Sequence, residues 1–161
     1  MKVLVAFYSM TGNTEKLARA IAGQLGADIE HIELTKRRSG PLGIARGMLD
    51  TFLQRKPAIK PRTLDPSAYE FVIIGTPVWA GSLSGPVRSY LEANARAFNG
   101  KVAFFYARGG SGADAEMKAF GQMQELAGKP PVATMGAKQA EIKSGEYERK
   151  VTEFVKAVSK A

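Results

Sequence analysis

The sequence predicts an α/β fold: an open, twisted, parallel sheet with helices on both faces. Two observations carry this. Continuous apolar runs of strand length alternate with amphipathic stretches of helix length along the whole chain. Five such pairs fill 161 residues, too few for a closed eight-unit barrel. No linker, low-complexity tract or internal repeat breaks the series, so residues 1–161 are expected to form a single domain.

Each element has its own signal. Residues 3–8 (VLVAFY) are apolar without alternation, as in a strand covered on both faces. Residues 15–25 place Leu17, Ala18, Ile21, Ala22 and Leu25 on one helical face, with Gly26 as the stop. Residues 28–34 set Ile32 and Leu34 among charged neighbours and read as an edge strand, with His31 at or near the surface. In the next helix Ala45, Met48, Leu49, Phe52 and Leu53 share a face, and Lys56-Pro57 ends the run. Residues 71–75 (FVIIG) are a buried strand. Ser84-Gly85-Pro86 opens a helix, with proline suited to its first turn, and Val87, Tyr90, Leu91 and Phe98 line one face. Residues 102–106 (VAFFY) form another central strand. Residues 113–126 are helical with Met117, Phe120 and Met123 inward, and residues 131–136 form the last strand. Residues 146–160 close the chain with Tyr147, Val151, Phe154, Val155 and Val158 on one stripe.

Composition narrows the chemistry. Hydrophobic residues at 45% and charged residues at 24% are ordinary for a globular chain. The absence of cysteine excludes disulfides, thiolate nucleophiles and cysteine-held zinc or iron–sulfur centres. A single histidine argues against a histidine metal site or a Ser–His triad. The N-terminus lacks a signal-peptide pattern, and no run is long enough to span a membrane, so a soluble, cytoplasmic protein is expected. The net charge of +8 is local. Residues 36–62 hold eight basic side chains and one acid, Asp50, a net +7, which leaves +1 for everything else. Such a patch either attracts an anionic partner or is a well-solvated surface. Nucleic acid is not expected, because no recognition module accompanies it.

In open parallel sheets, ligands bind beyond the carboxyl ends of the strands, near the switch point of strand order. Three strand-to-helix connections meet there. The first, Ser9, Met10, Thr11, Gly12, Asn13 and Thr14, offers three hydroxyls, an amide and a glycine ahead of a helix N-terminus. That is an anion cradle without a cation, suited to a terminal monophosphate. A plain helix cap is the alternative, but a cap needs one hydroxyl. The loop has neither the lysine of a Walker loop nor a G-x-G-x-x-G turn.

This loop resembles the phosphate loop of flavodoxins, S/T-x-T-G-x-T, at every defined position. The resemblance extends from the first strand to the last helix. It implies a flavodoxin-like three-layer sandwich with a five-stranded parallel sheet in the order 2-1-3-4-5, and it implies bound FMN. The residues from Ser9 to Thr14 would hold the phosphate. Thr76, Pro77, Val78, Trp79, Ala80 and Gly81, together with Arg108, Gly109, Gly110, Ser111 and Gly112, would surround the ring. Trp79, the sole tryptophan, would stack on the flavin or else close its own loop. Arg108 is the candidate for contact with the ring's N1/O2 edge or with a bound anion.

The implied function is electron transfer through a non-covalent FMN, with an acidic redox partner protein. Gly75-Thr76-Pro77, Gly81, Ser84-Gly85 and residues 88–91 are also similar to the ring loop of tryptophan-repressor-binding-protein-type NAD(P)H:quinone oxidoreductases. That similarity implies an enzyme acting on NAD(P)H and a small quinone. Either role leaves the chemistry to the flavin, so no catalytic side chain is named. Three departures from flavodoxins stand out: no aromatic residue in the third loop, a basic charge balance, and Ala80 in place of glycine. Alanine resists positive φ.

Overall fold

The computed structural model describes residues 1–110 and 113–161. Ser111 and Gly112 of the third loop therefore lie outside the described residues. The elements are β1 (Val3–Phe7), α1 (Asn13–Leu25), β2 (Asp28–His31), α2 (Gly40–Phe52), β3 (Phe71–Trp79), β4 (Ser82–Leu83), α3 (Gly85–Asn94), β5 (Lys101–Arg108), α4 (Ala113–Ala127), β6 (Thr134–Lys138), α5 (Gln139–Ser144) and α6 (Tyr147–Lys160).

Among the described residues, the parallel strands lie in the order β2-β1-β3-β5-β6, and β4 pairs antiparallel with the end of β3. The five parallel strands thus keep the expected order, and a two-residue strand is added to them. Side chains alternate along each buried strand and divide between two cores. Val3, Val5 and Phe7 join Leu17 and Ile21 of α1 and Val151 and Phe154 of α6 on one face. Leu4, Ala6 and Tyr8 join Val87, Tyr90 and Leu91 of α3 and Met123 of α4 on the other. This double coverage is why β1 reads as an unbroken apolar run. The long connection after α2 is tied down by Glu30. Its buried carboxylate accepts from the Thr63 and Leu64 amides at 2.9 and 2.8 Å and from the Thr63 hydroxyl at 2.8 Å.

Several boundaries differ from the sequence reading. The edge strand β2 stops at His31, and Leu34 instead bridges to Ile59. α3 ends at Asn94, so Phe98 is buried from the turn that follows the helix. The last strand is β6, three residues later than residues 131–136, because Pro130 and Pro131 carry no amide for the ladder. α5 carries no apolar face long enough to signal itself.

The largest departure concerns α2. The face expected to be shared points outward: Ala45, Met48, Leu49, Phe52 and Leu53 are all exposed, as are Leu42 and Ile44, while Gly43, Gly47, Asp50 and Thr51 are buried. The reason is close packing. A Cβ on Gly43 would lie 3.1 Å from the Arg38 carbonyl carbon, and one on Gly47 would lie 3.3 Å from Met10 Cε. A leucine on that side has no room.

β3 also runs four residues past the expected Gly75. Its pairing with β1 ends at Phe7↔Gly75, whereas its pairing with β5 continues through Pro77↔Ala107 to Val78↔Arg108. Pro77 lies on the side of β3 where β1 has ended, so its missing amide leaves no β1 rung unmade. The strand then turns back through Ala80 (φ 49) and Gly81 (φ 77) into β4. Two consecutive positive φ values are what a two-residue hairpin of type I′ requires. Ala80 thus adopts the conformation it was expected to resist, at a local cost of about 1–2 kcal/mol. Replacing it with glycine relieves that strain but adds chain entropy to the unfolded state. Ala80→Gly is expected to raise unfolding stability by about 0.5–1 kcal/mol, read by urea denaturation. Ala80→Val is expected to lower it.

Candidate functional site

The phosphate-type loop leaves β1 and rises into α1. Gly12 stands at the N-cap in the left-handed region (φ 96, ψ −10), and Ser9 Oγ accepts from the Gly12 amide at 3.1 Å. Among the described residues, no side chain caps the first turn of α1. The plain-cap alternative is therefore not the arrangement found: Ser9 is engaged within its own loop, and neither Thr11 nor Thr14 closes the helix end. Thr14 is buried, Asn13 half-buried and Thr11 exposed. No atom lies within 4 Å of a Cβ built on Gly12, so the space over the helix end is open. Amides at a helix start, a positive dipole end and open space together make a receptor for a small anion.

The second segment proves to be strand and hairpin rather than loop. Thr76 is buried and turned inward. Its Oγ1 accepts from the Ser84 amide at 3.0 Å, lies 3.1 Å from Ser84 Oγ, and donates to the Pro77 carbonyl at 2.8 Å. These bonds fasten β3 to the start of α3, so this hydroxyl serves the frame of the site. Val78 is buried against Tyr106 and Ala119. Trp79 is half-buried, and its ring edge faces the backbone of α2: a Cβ on Gly47 would lie 3.4 Å from Trp79 Cζ3. Met10 packs at the same point, so α2 joins the first and second segments.

The third segment begins at the end of β5, beside the second. Arg108 is buried at the Val78 rung, and Gly109 and Gly110 (φ 71) are exposed beyond it. The sheet register thus brings all three predicted segments to one edge. Sequence reasoning missed Gly47, the residue on which Met10 and Trp79 converge. The i, i+4 pair of glycines at 43 and 47, inside a helix with no other reason for them, is a signal that could have revealed it.

A cleft of about 530 Å³ adjoins the loop between Ser9, Met10 and Thr11 and the segment after β2, with Arg37, Arg38 and Lys60 in its wall. Its charge is smaller than the sequence implies. Arg38 pairs with buried Asp50 at 2.6 Å, and Arg55 meets the same carboxylate at 3.5 Å. Lys60 pairs with Glu33 at 2.5 Å and, chiefly through that hydrogen bond, holds the Glu33 carboxyl below its ordinary range. Lys56 pairs with Glu92 at 2.6 Å and Arg62 with Asp65 at 3.2 Å. Among the described residues, Lys36, Arg37 and Arg46 form no ion pair. Three acids from outside the segment, Glu33, Glu92 and Asp65, thus offset part of its +7 and leave +4.

The family profile of NADPH-dependent FMN reductases matches residues 1–146. The chain belongs to this family. Its cofactor is accordingly FMN, and its chemistry is redox. The architecture agrees. A flavoprotein from Lactobacillus acidophilus, solved in complex with FMN, superposes with a TM-score of 0.71 at 22% identity, over 89% of this chain and 97% of that one. Oxidised flavodoxin 2 from Bacillus cereus gives 0.63 at 21%, over 99% of both chains. A flavodoxin, WrbA-like protein from Agrobacterium tumefaciens gives 0.56 at 14%, over 96% and 97%. At these identities the likeness establishes the flavodoxin-like fold, and membership of the FMN reductase family rests on the profile.

In this FMN reductase family member, the contact of Gly47 with Met10 and Trp79 is open to a direct test. Gly47→Leu forces both side chains away from α2. Overpacking of this kind costs about 1–3 kcal/mol, read by urea unfolding. The emission of Trp79, the sole tryptophan, is expected to shift to longer wavelength as its ring meets water.

Proposed function

We propose that this chain holds FMN non-covalently at the described edge, accepts electrons from NADPH and passes them to a small acceptor. The observation that carries this is the start of α1: an uncapped helix end beneath left-handed Gly12, with the Thr11 and Thr14 hydroxyls beside it. In this reading Ser9, Met10, Thr11, Gly12, Asn13 and Thr14 surround the phosphate, whose charge the helix amides and dipole stabilise. Trp79, Ala80 and Gly81 from the hairpin and Arg108, Gly109 and Gly110 from the end of β5 flank the ring, with Ser111 and Gly112 completing that loop. Thr76 acts indirectly, by fixing the hairpin to α3 through Ser84. Arg108, buried at this edge, is a fixed positive charge that favours an electron-rich group there.

When bound, FMN supplies the capacity to take up a hydride and release electrons singly or in pairs. The protein's part is position, charge and access. Gly109 and Gly110 themselves carry no side chain to cover that side of the edge, which suits a flat substrate.

The match to NADPH-dependent FMN reductases favours the enzyme over a pure electron carrier. The carrier reading has one specific support of its own. Ala80 already occupies positive φ, so alanine at this position is no obstacle to the hairpin geometry that flavodoxin resemblance implies. Stopped-flow mixing of the FMN-loaded protein with NADPH or NADH, followed by a quinone, separates the two. Rapid bleaching of the flavin by NADPH and recovery with quinone is the expected result. Full reduction by dithionite with no reaction from either nucleotide would establish the carrier instead.

The phosphate assignment is tested separately. Thr14→Ala is expected to weaken FMN about tenfold while leaving riboflavin, which lacks the phosphate, nearly unchanged. Equal losses in flavin fluorescence titrations would remove the loop from phosphate binding.

A further inference from the structure

We infer that the outer face of α2 docks on an anionic lipid surface, with the helix lying in the plane of the headgroups. The observation is an inverted helix. Leu42 is 82% exposed and Phe52 76%, and Ile44, Met48, Leu49 and Leu53 are exposed beside them. Beyond this helix and its C-cap, the large hydrophobic residues exposed among the described ones are Met1 and Val132. The apolar surface is therefore concentrated in one place, and a concentrated patch of this kind marks a contact surface.

Charge decides the occupant. Every exposed charged side chain between residues 36 and 62 is basic, because the single acid, Asp50, is buried against Arg38. Arg46 stands within α2 beside the apolar crest, and Lys36 and Arg37 precede the helix. These three are the basic residues of the segment left without ion pairs among the described residues. A second copy of this chain docked through a two-fold axis would bring the same basic residues face to face, which is repulsive. An acidic protein would meet the charge, but it would need a groove to take a protruding helix crest. A bilayer surface needs none. Apolar side chains on one face, basic side chains at its margin and a 13-residue helix are the features of an interfacial segment. Arginine stems at that margin reach the headgroups while their methylenes stay with the apolar residues. Among the described residues no helix is long and apolar enough to cross a membrane, so the helix lies on the surface and does not span it. The inner face of α2 carries Gly47, against which Met10 and Trp79 pack, so docking would leave one helix thickness between the proposed flavin edge and the bilayer.

The inference stands apart from the flavin reading, and its test does not use activity. The FMN-loaded full chain is floated with phosphatidylcholine vesicles containing or lacking about one-third phosphatidylglycerol. Partition to the anionic vesicles, weakened by salt, is expected. The double variant Leu42→Ser/Phe52→Ser should lower it more than about tenfold, and Arg46→Gln alone about fivefold. Both variants change exposed residues, and an unaltered melting temperature with retained flavin confirms their folding. A wild type that ignores anionic vesicles overturns the inference and leaves the face to a second copy or an acidic protein, which sedimentation velocity tells apart. Undiminished partition of the double variant overturns it too, since charge alone would then account for the attraction.

Discussion

A step in the edge of the sheet organises this protein. β1 and β3 pair rung by rung to Phe7↔Gly75, where β1 stops and β3 continues for three more rungs alongside β5. A parallel strand that ends early must hand its chain to a helix on one face of the sheet. The first loop therefore turns at the step and delivers the start of α1 to the open edge. The continuing strand has lost its neighbour there, and β4 folds back to pair with it. Anion receptor, hairpin and the end of β5 are thus neighbours because three ladders share a register and end at different heights.

α2 is the element that closes this edge, and its packing inverts the usual rule. An amphipathic helix on a globular protein normally turns its apolar stripe inward. Here the side facing the protein meets Arg38, Met10 and Trp79 so closely that a Cβ at 43 or 47 would press on them, and glycine fits without displacement. The remaining inward positions are Asp50, paired with Arg38, and Thr51, whose hydroxyl donates to the Gly47 carbonyl at 2.9 Å. A short approach distance and one buried ion pair fix the helix, and its apolar residues are left on the outside. Two properties follow from the same contact: a tryptophan held against a helix backbone at the candidate flavin edge, and an apolar crest with basic margins on the reverse.

Much of the candidate site was legible along the chain. Ser9, Thr11, Gly12 and Thr14 fall within six residues at the start of a helix with clear periodicity, so local chemistry alone marks a candidate anion receptor. The segment after Gly75 was legible in its residues but not in its conformation. Pro77 interrupts an otherwise strand-favouring run of Thr76, Val78 and Trp79 and hides its extension, and the strand geometry comes from β5, whose rungs are some thirty residues away. Thr76, expected at the ligand, has its hydroxyl tied to Ser84. That choice depends on where α3 begins in space. The basic patch keeps a positive excess, but Glu92, Glu33 and Asp65 reach it from outside residues 36–62 and offset part of it, which local sequence does not show.

The sequence by itself determined the layered α/β architecture, the places of its main strands and helices, and the position of the candidate anion loop between β1 and α1. Each depends on periodicity or on neighbours within a few residues, and short-range order of that kind is written directly in the chain. Tertiary structure decided how far β3 extends, that Ala80 takes a left-handed turn, and which face α2 presents to the outside. These depend on distances between residues far apart in sequence. The approach of α2 to Trp79 over Gly47 joins elements more than thirty residues apart, and the glycine pair marks only its helix side.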